Sequence, residues 1–316
     1  MGLKTHMRIP LLSKIFSELM NSREIRRPQT NDSCIRDYAK QTLLFLTGLP
    51  PHRLVPKAFA ARERIVKAFE TYFENKGYET GSEMTRARRN ILQTYGIYGQ
   101  DIARMETVNG FGILLNLLPT AFWTIWHIIS DRDLLKNARK EAEAYLQGNH
   151  DWDSGLGKAE EDLPLMASTM REVLRYHVAG AATRMVMEDH FLNGKYLLKK
   201  DSMIQMPNSV PHFDKNEWGP NADQFDAYRF VRQEGKKPHP VAFRSWGGGA
   251  NLCPGRVYAP RLILTVTAML IRSFDISPAE TNGRWEHPGQ DTSNPAIVVV
   301  QPQKRTMVRV SPGERF

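Results

Sequence analysis

One cysteine of this chain lies in a setting that suits chemistry. Cys253 belongs to the segment SWGGGANLCPGR, and the chain has one other cysteine, Cys34. A lone cysteine is usually a small buried hydrophobic residue. The three consecutive glycines 247–249 argue against that interpretation, because glycine loses the most conformational entropy when a chain becomes ordered. They indicate a backbone that turns tightly and lets another group approach closely.

The residues after Cys253 favour a thiolate. Pro254 suits the first turn of a helix, and a sulfur at a helix N-terminus faces free backbone N–H groups that stabilise negative charge. Such a thiolate can act as a nucleophile or bind a metal. Zinc needs further cysteine or histidine ligands at characteristic spacing, a nucleophile needs a base, and no histidine flanks this loop. Haem iron needs only one protein ligand of this kind.

The segment resembles the haem-binding loop of the cytochrome P450 family, whose pattern is aromatic, Gly, x, Gly, x, basic, x, Cys, x, Gly. The resemblance implies haem b as the cofactor and Cys253 as the axial ligand of its iron. The positions taken by the other members of the pattern are Trp246, Gly247, Gly249, Asn251 and Gly255. The family usually has Phe at the first of these and a basic residue, which meets a haem propionate, at the fourth. Trp and Asn at these positions resemble the prostacyclin synthase-like branch of the family.

Two further motifs follow the family's order along the chain. Glu172 and Arg175 lie three residues apart, so they share a helix face and can pair, although exposed pairs of this kind contribute little. Phe225-Asp-Ala-Tyr-Arg-Phe230 resembles the family's Phe-x-Pro-x-Arg-Phe, with Ala227 in place of Pro. The resemblance implies a buried network of Glu172, Arg175 and Arg229 that braces the cysteine loop, a role that suits the rigid fork of arginine.

Arg184 has two interpretations. It lies nine residues after Arg175 and resembles the basic residue that meets a haem propionate in many family members. It is equally consistent with an ordinary arginine on the surface of a strand. Asn251 in the family's other basic position makes the first interpretation more consequential.

The most apolar stretch, residues 111–129, is the best candidate for a membrane span by length. It contains Asn116, Pro119, Thr120 and His127, so a buried core helix is the preferred interpretation. It resembles the distal helix of the branch that contains prostacyclin synthase and the sterol and bile-acid hydroxylases, without the acid–alcohol pair that most of the family uses to relay protons. Asn116 takes roughly the alcohol's position, and an amide can hydrogen-bond a peroxide or a water without supplying a proton. Thr120 could supply one, unless its hydroxyl bonds back to the helix.

The pattern of the whole chain predicts a mainly α protein with small β elements, and the resemblance implies a cytochrome P450 fold lacking its N-terminal part. Residues 1–316 are expected to form one domain: middle helices in 1–98, the distal helix region in 99–148, and the haem-binding half in 163–316. Pro119 is expected to kink the long helix or remove one backbone bond. Asn193-Gly194 predicts a hairpin, and residues 294–312 predict a second, C-terminal one.

Charge and composition limit the classes of binding partner. The net charge is +9 and the pI about 9.5. The sequence has no Lys/Arg-rich run with interleaved aromatic residues, so it does not indicate a nucleic-acid partner. Two cysteines give no disulfide framework, and the N-terminus matches no signal peptide. The resemblance implies NADPH–cytochrome P450 reductase as a partner, docked through basic residues near the loop: Lys236, Lys237, Arg244 and Arg256. It implies association with the endoplasmic reticulum membrane, with a cytoplasmic location as the alternative because no N-terminal anchor is present.

Three functions remain open at this stage. The first is a haem-thiolate monooxygenase of a lipophilic small molecule, terpenoid, steroid or polyketide-like, in secondary metabolism. The second is a haem-thiolate isomerase like prostacyclin synthase, which needs neither dioxygen nor electrons. The third is a truncated, non-catalytic relative, because a shortened fold would expose apolar surface. Monooxygenases far outnumber isomerases in the family, so the first is preferred.

Overall fold

The computed structural model describes residues 3–7, 34, 37–45, 47, 49–148, 158–231, 238–279, 283–293 and 297–313. Helices dominate these residues, as the sequence predicts. They are α1 Thr42–Phe45, α2 Pro51–Leu54, α3 Pro56–Glu74, α4 Glu83–Thr94, α5 Gln100–Ser130, α6 Arg132–Gln147, α7 Ala159–Asp162, α8 Pro164–Tyr176, α9 Ser209–His212, α10 Lys215–Trp218 and α11 Tyr258–Ser273. Short 3₁₀ turns cover Gly77–Glu79, Pro240–Ala242, Gly249–Asn251 and Pro254–Arg256.

Helix α5 is the centre of the main core. Its C-terminal half is apolar on all sides, so packing on several faces is needed to remove it from water. Trp123, Ile125 and Ile128 are fully buried, and helices α6, α8 and α11 supply most of the other members of the same cluster. The helix has the length and composition of a membrane span, but two thirds of its most apolar window is buried inside the fold, which agrees with the preferred interpretation. It is one continuous helix across Pro119.

A smaller cluster covers the first half of α5. Cys34, Tyr38 and Ala61 pack there with Phe111. Cys34 is 2% exposed, and both cysteines are free thiols. Cys34 is therefore the small buried hydrophobic residue that a lone cysteine usually is, in contrast to Cys253, which is only partly buried.

The sheets are small and antiparallel. Strands β2 (Ala181–Met185) and β5 (Met203–Pro207) pair, and β3 (His190–Leu192) and β4 (Tyr196–Leu198) form the predicted hairpin. Its two turn residues, Asn193 and Gly194, have φ of 51° and 67°, the left-handed conformation that a tight hairpin turn of this type requires.

The C-terminal segment departs from the sequence-based prediction. Strand β9 (Thr306–Pro312) forms no hairpin with the residues just before it. It lies between β1 (Leu3–Met7) and β6 (Phe274–Pro278) in a three-stranded sheet, and the short strands β7 (Gln290–Asp291) and β8 (Gln301–Pro302) pair with each other. The predicted C-terminal hairpin is wrong because the strand partners lie far away in sequence, where local pattern gives no information.

Candidate haem-binding site

The cysteine loop is closed by its own backbone. The Cys253 N–H donates to the Trp246 carbonyl at 2.9 Å, and the Gly247 N–H donates to the Arg244 carbonyl at 2.9 Å. Cys253 lies just before the 3₁₀ turn Pro254–Arg256, and α11 begins two residues after that turn. The sulfur therefore lies at the start of a 3₁₀ turn. The sequence had suggested that it lies directly at the N-terminus of the α-helix.

The glycines of the loop have separate reasons. Gly247 and Gly249 have φ of 79° and 67°, a region that side chains with a Cβ rarely adopt. Gly248 is extended, but a Cβ there would lie 2.6 Å from Nη2 of Arg244. A Cβ built at Gly255 lies 3.6 Å from the Cys253 sulfur. The loop therefore favours glycine at positions 247 and 249 for backbone conformation, and a side chain at 248 would require the Arg244 guanidinium to move.

Two other predicted site residues are placed at the loop. The Trp246 side chain is half-buried against the main core. The Arg184 guanidinium donates to the Gly248 carbonyl at 3.4 Å and to the Thr183 carbonyl at 2.8 Å, so a strand arginine reaches the cysteine loop. The Asn251 backbone belongs to the 3₁₀ turn Gly249–Asn251, and its side chain lies outside the described residues.

The predicted network of Glu172, Arg175 and Arg229 is present and buried. Arg175 pairs with Glu172 through two bonds, Nη2 to Oε1 at 2.7 Å and Nε to Oε2 at 2.8 Å, and both side chains are 0% exposed. Arg229 Nε lies 3.0 and 3.1 Å from the two carboxylate oxygens. The two guanidiniums also donate to oxygens between the end of α9 and the irregular segment after α10, at His212, Trp218, Asn221, Ala222 and Gln224. Burial of these charges is tolerable only because their hydrogen bonds are made so completely.

His212 connects this network to the cysteine loop. Its Nδ1 lies 3.0 Å from the Arg175 carbonyl, and its Nε2 accepts from the Arg244 N–H at 3.0 Å. Burial lowers the pKa of His212 to about 4. Sequence reasoning missed this residue, because its two partners are backbone atoms 37 and 32 residues away and no side-chain motif marks them.

The predicted catalytic residues on α5 make local bonds. Asn116 Nδ2 donates to the Gly112 carbonyl at 2.9 Å, and its Oδ1 is buried without a hydrogen-bond partner among the described residues. The Thr120 hydroxyl donates to the Asn116 carbonyl at 2.7 Å, and Thr120 is 2% exposed. This is the bonding back to the helix that the sequence left as an alternative, so the geometry does not favour Thr120 as a proton donor.

A second polar cluster was not predicted. His177 stacks on Trp123 with ring centroids 4.0 Å apart, its Nε2 lies 3.0 Å from Nε2 of His127, and its Nδ1 lies 3.2 Å from Nε2 of Gln290. The Gln290 amide donates, so His177 carries its proton on Nε2 and donates it to His127. Burial lowers the pKa of His127 to about 3 and that of His177 well below its usual value. Both rings are neutral.

The described residues fit a haem. Cys253 offers a free, partly exposed sulfur, and Arg184 brings a guanidinium to the same loop, which suits a group that carries carboxylates. The buried Asn116 Oδ1 is an acceptor without a partner, which is unusual unless a donor binds there. No cluster of three or more His, Cys, Asp or Glu side chains among the described residues could hold a different metal. The donor set is that of a single-thiolate iron site.

Comparison with known proteins agrees with the fold. The cyanobacterial CYP120A1, solved with retinoic acid bound, superposes with a TM-score of 0.72 over 96% of this chain and 68% of that one, at 17% sequence identity. The likeness shows a cytochrome P450 fold. The sequence model described as cytochrome P450 matches residues 117–310. The chain belongs to the cytochrome P450 family.

Curated relatives are similar over most of this chain. Cytochrome P450 monooxygenase nodJ of Hypoxylon pulicicidum is 35% identical over 294 residues, 89% of this chain and 57% of that protein. Cytochrome P450 7A1 of Rattus norvegicus is 25% identical over 280 residues, 81% of this chain and 54% of that protein. The chain thus spans about half the length of these relatives.

Proposed function

We propose that this chain carries the haem-binding half of a monooxygenase that oxidises a lipophilic small molecule. The observation that carries the proposal is the free sulfur of Cys253, on a loop tied to a fully buried carboxylate–guanidinium network. Cys253 would be the axial ligand of haem b, which supplies thiolate-assisted activation of dioxygen when bound. The similarity to monooxygenases that act in fungi favours a substrate from secondary metabolism, of terpenoid, steroid or polyketide type.

The remaining residues have supporting roles in this proposal. Arg184 is positioned to pair with a haem carboxylate, because its guanidinium already lies at the Gly248 carbonyl. Trp246 covers the loop from the core side. Asn116 offers a buried carbonyl oxygen that can accept a hydrogen bond from a water or a substrate hydroxyl and orient it. Since Thr120 is committed to the helix, proton delivery would rely on water or on the substrate.

We further propose NADPH–cytochrome P450 reductase as the electron donor. The net charge of +9 and the exposed Arg256 beside the cysteine favour an acidic partner. Arg256 Nη1 also donates to the Cys253 carbonyl at 3.1 Å, so docking there would contact the ligand loop directly. Arg244 is half-buried over Gly248, and Lys236 and Lys237 lie outside the described residues.

The test is the reduced carbon monoxide complex of the haem-loaded chain. Thiolate ligation gives the red-shifted Soret band of the family, and Cys253→Ser should abolish it while Cys34→Ser leaves it unchanged. Persistence of the band in Cys253→Ser would refute the ligand assignment. Failure of the wild-type chain to take up haem would favour the non-catalytic alternative.

One observation favours a second function, an isomerase that acts on a substrate containing an O–O bond. Neither Asn116 nor Thr120 is arranged to supply a proton, and such an isomerisation needs no external proton or electron. Turnover that requires reductase and dioxygen supports the monooxygenase. Turnover of a peroxide substrate without either supports the isomerase.

A further inference from the structure

The C-terminal turn of helix α8 ends in carbonyls that need partners from elsewhere in the fold. The last carbonyls of a helix have no intrahelical donor. Here the Leu174 carbonyl accepts from the Ser245 hydroxyl at 2.9 Å, and the Arg175 carbonyl lies 3.0 Å from Nδ1 of His212. Ser245 is part of the cysteine loop, and His212 in turn bonds to Arg244 of that loop. Two consecutive carbonyls therefore set the position of two consecutive loop residues.

The chemistry of the two ends fixes the proton of His212. A carbonyl oxygen can only accept, so Nδ1 carries the hydrogen that is donated to Arg175. A backbone N–H can only donate, so Nε2 is unprotonated and accepts from the Arg244 N–H. The ring is 0% exposed and lies nearly parallel to Phe243, with centroids 5.8 Å apart and an angle of 18°. Burial and this stacking hold the ring in the plane that both bonds require.

His212 also closes the path from the buried carboxylate to the sulfur. Arg175, which pairs with Glu172, donates from Nη1 to the His212 carbonyl at 2.6 Å and accepts from the ring of the same residue. Beyond Arg244, the turn to Gly247 and the Trp246–Cys253 bond complete the loop. The hydrogen bonds of this path are 2.6–3.0 Å long, and the His212 ring at its centre is fully buried.

We propose that His212 is a positioning residue for the Cys253 ligand. It would set the register of the cysteine loop against α8 through one donated and one accepted hydrogen bond. The proposal rests on the proposed haem-thiolate function and extends it to a residue outside the loop and outside the Glu172 network. A serine or an amide side chain at position 212 could replace one of the two hydrogen bonds. Only a group with a donor and an acceptor on opposite edges can make both.

The test compares three full-length variants. His212→Phe keeps the aromatic ring against Phe243 and loses both bonds, and His212→Gln keeps one donor and one acceptor. His177→Phe is the matched control, because His177 is also a buried histidine next to α8 but bonds to His127 and Gln290 and not to the loop. Two properties are measured: the share of the reduced carbon monoxide complex that shows the thiolate band, and backbone amide exchange at residues 244–253 with and without haem.

We expect His212→Phe to lose most of the thiolate band and to exchange loop amides about tenfold faster, because the loop loses the hydrogen bond from the Arg244 N–H to the ring. His212→Gln should recover part of both, and His177→Phe should lower thermal stability while keeping the wild-type share of the band. A wild-type band share and wild-type loop exchange in His212→Phe would overturn the proposal, as would an equal loss in His177→Phe. If the wild-type chain shows no thiolate band, the proposed function fails, and amide exchange in the haem-free chain still decides the role of His212.

Discussion

Two buried polar groups of this protein are opposites in their hydrogen bonding. The Glu172 carboxylate accepts from Arg175, Arg229 and the Asp226 N–H, and the Asn116 carbonyl oxygen has no partner among the described residues. A fully bonded buried charge holds its surroundings in one arrangement. A buried acceptor left without a donor costs stability, and such a cost is tolerated where the group has another task. The comparison therefore separates a group whose hydrogen bonds are complete from one that can still accept a hydrogen bond, and under the proposed function the first braces the cysteine loop and the second contacts water or substrate.

The largest effect should come from the charge of the bonded group. Glu172→Gln removes the negative charge between two guanidiniums that are 0% and 9% exposed, so we expect a loss of about 3–5 kcal/mol of unfolding free energy. Urea denaturation measures it. The control is Glu83→Gln, whose pair with Arg86 is at the surface with a glutamate side chain 95% exposed, and which should cost less than about 1 kcal/mol. Equal losses in the two variants would mean that the network does not brace the fold.

Acid should break the histidine contacts next. The pKa values of His212 and His127 are lowered from 6.5 to about 4 and about 3 by burial. Between pH 6.5 and these values, both histidines bind a proton in the unfolded chain and remain neutral in the folded chain. The stability that these neutral rings contribute is complete above about pH 6.5 and declines as the pH falls toward 4. Thermal unfolding between pH 7 and pH 4 should show a falling midpoint. His177 contacts His127, and burial lowers its pKa as well, so His177→Phe should make the midpoint fall less steeply with pH. An unchanged slope in this variant would argue against titration of the His127–His177 pair.

Replacement of Asn116 should affect function more than stability, the opposite of the effect expected for Glu172. Asn116→Leu removes the orphaned acceptor together with its bond to Gly112, so we expect unfolding free energy to stay within about 1 kcal/mol or to rise. The expected loss is functional: fewer product molecules per electron pair consumed, by several-fold. A large loss of stability, with an unchanged number of product molecules per electron pair, would make Asn116 a structural residue like Glu172.

Thr120 should give the smallest effect. Its hydroxyl is bonded to the Asn116 carbonyl, so Thr120→Val should change stability by less than about 1 kcal/mol and leave turnover close to wild type. Steady-state kinetics with deuterated solvent measure the remaining role. A strong fall in turnover with an altered solvent isotope effect would return Thr120 to the proton path.

The sequence predicted the parts whose signals are local or belong to a known motif. The mainly helical fold, the long helix α5, the Asn193-Gly194 hairpin and the Glu172–Arg175–Arg229 network are all found in the structure. Residues that act through backbone atoms were missed, because a carbonyl or an N–H carries no residue-specific signal. His212 and the pair of His127 and His177 are of this kind. The pairing of β9 was mispredicted for the related reason that its partners, β1 and β6, are remote in sequence.

The indole of Trp123 donates to the Val300 carbonyl, 177 residues away in sequence, at 2.7 Å. Trp123 is fully buried in α5, so the central helix has no partner for this N–H until residue 300 has been synthesised. During synthesis the most apolar helix is therefore exposed and incomplete, and a nascent chain in this state is vulnerable to aggregation. A chain that ends before residue 300 would lack the acceptor of this buried N–H, and an unsatisfied buried donor lowers stability.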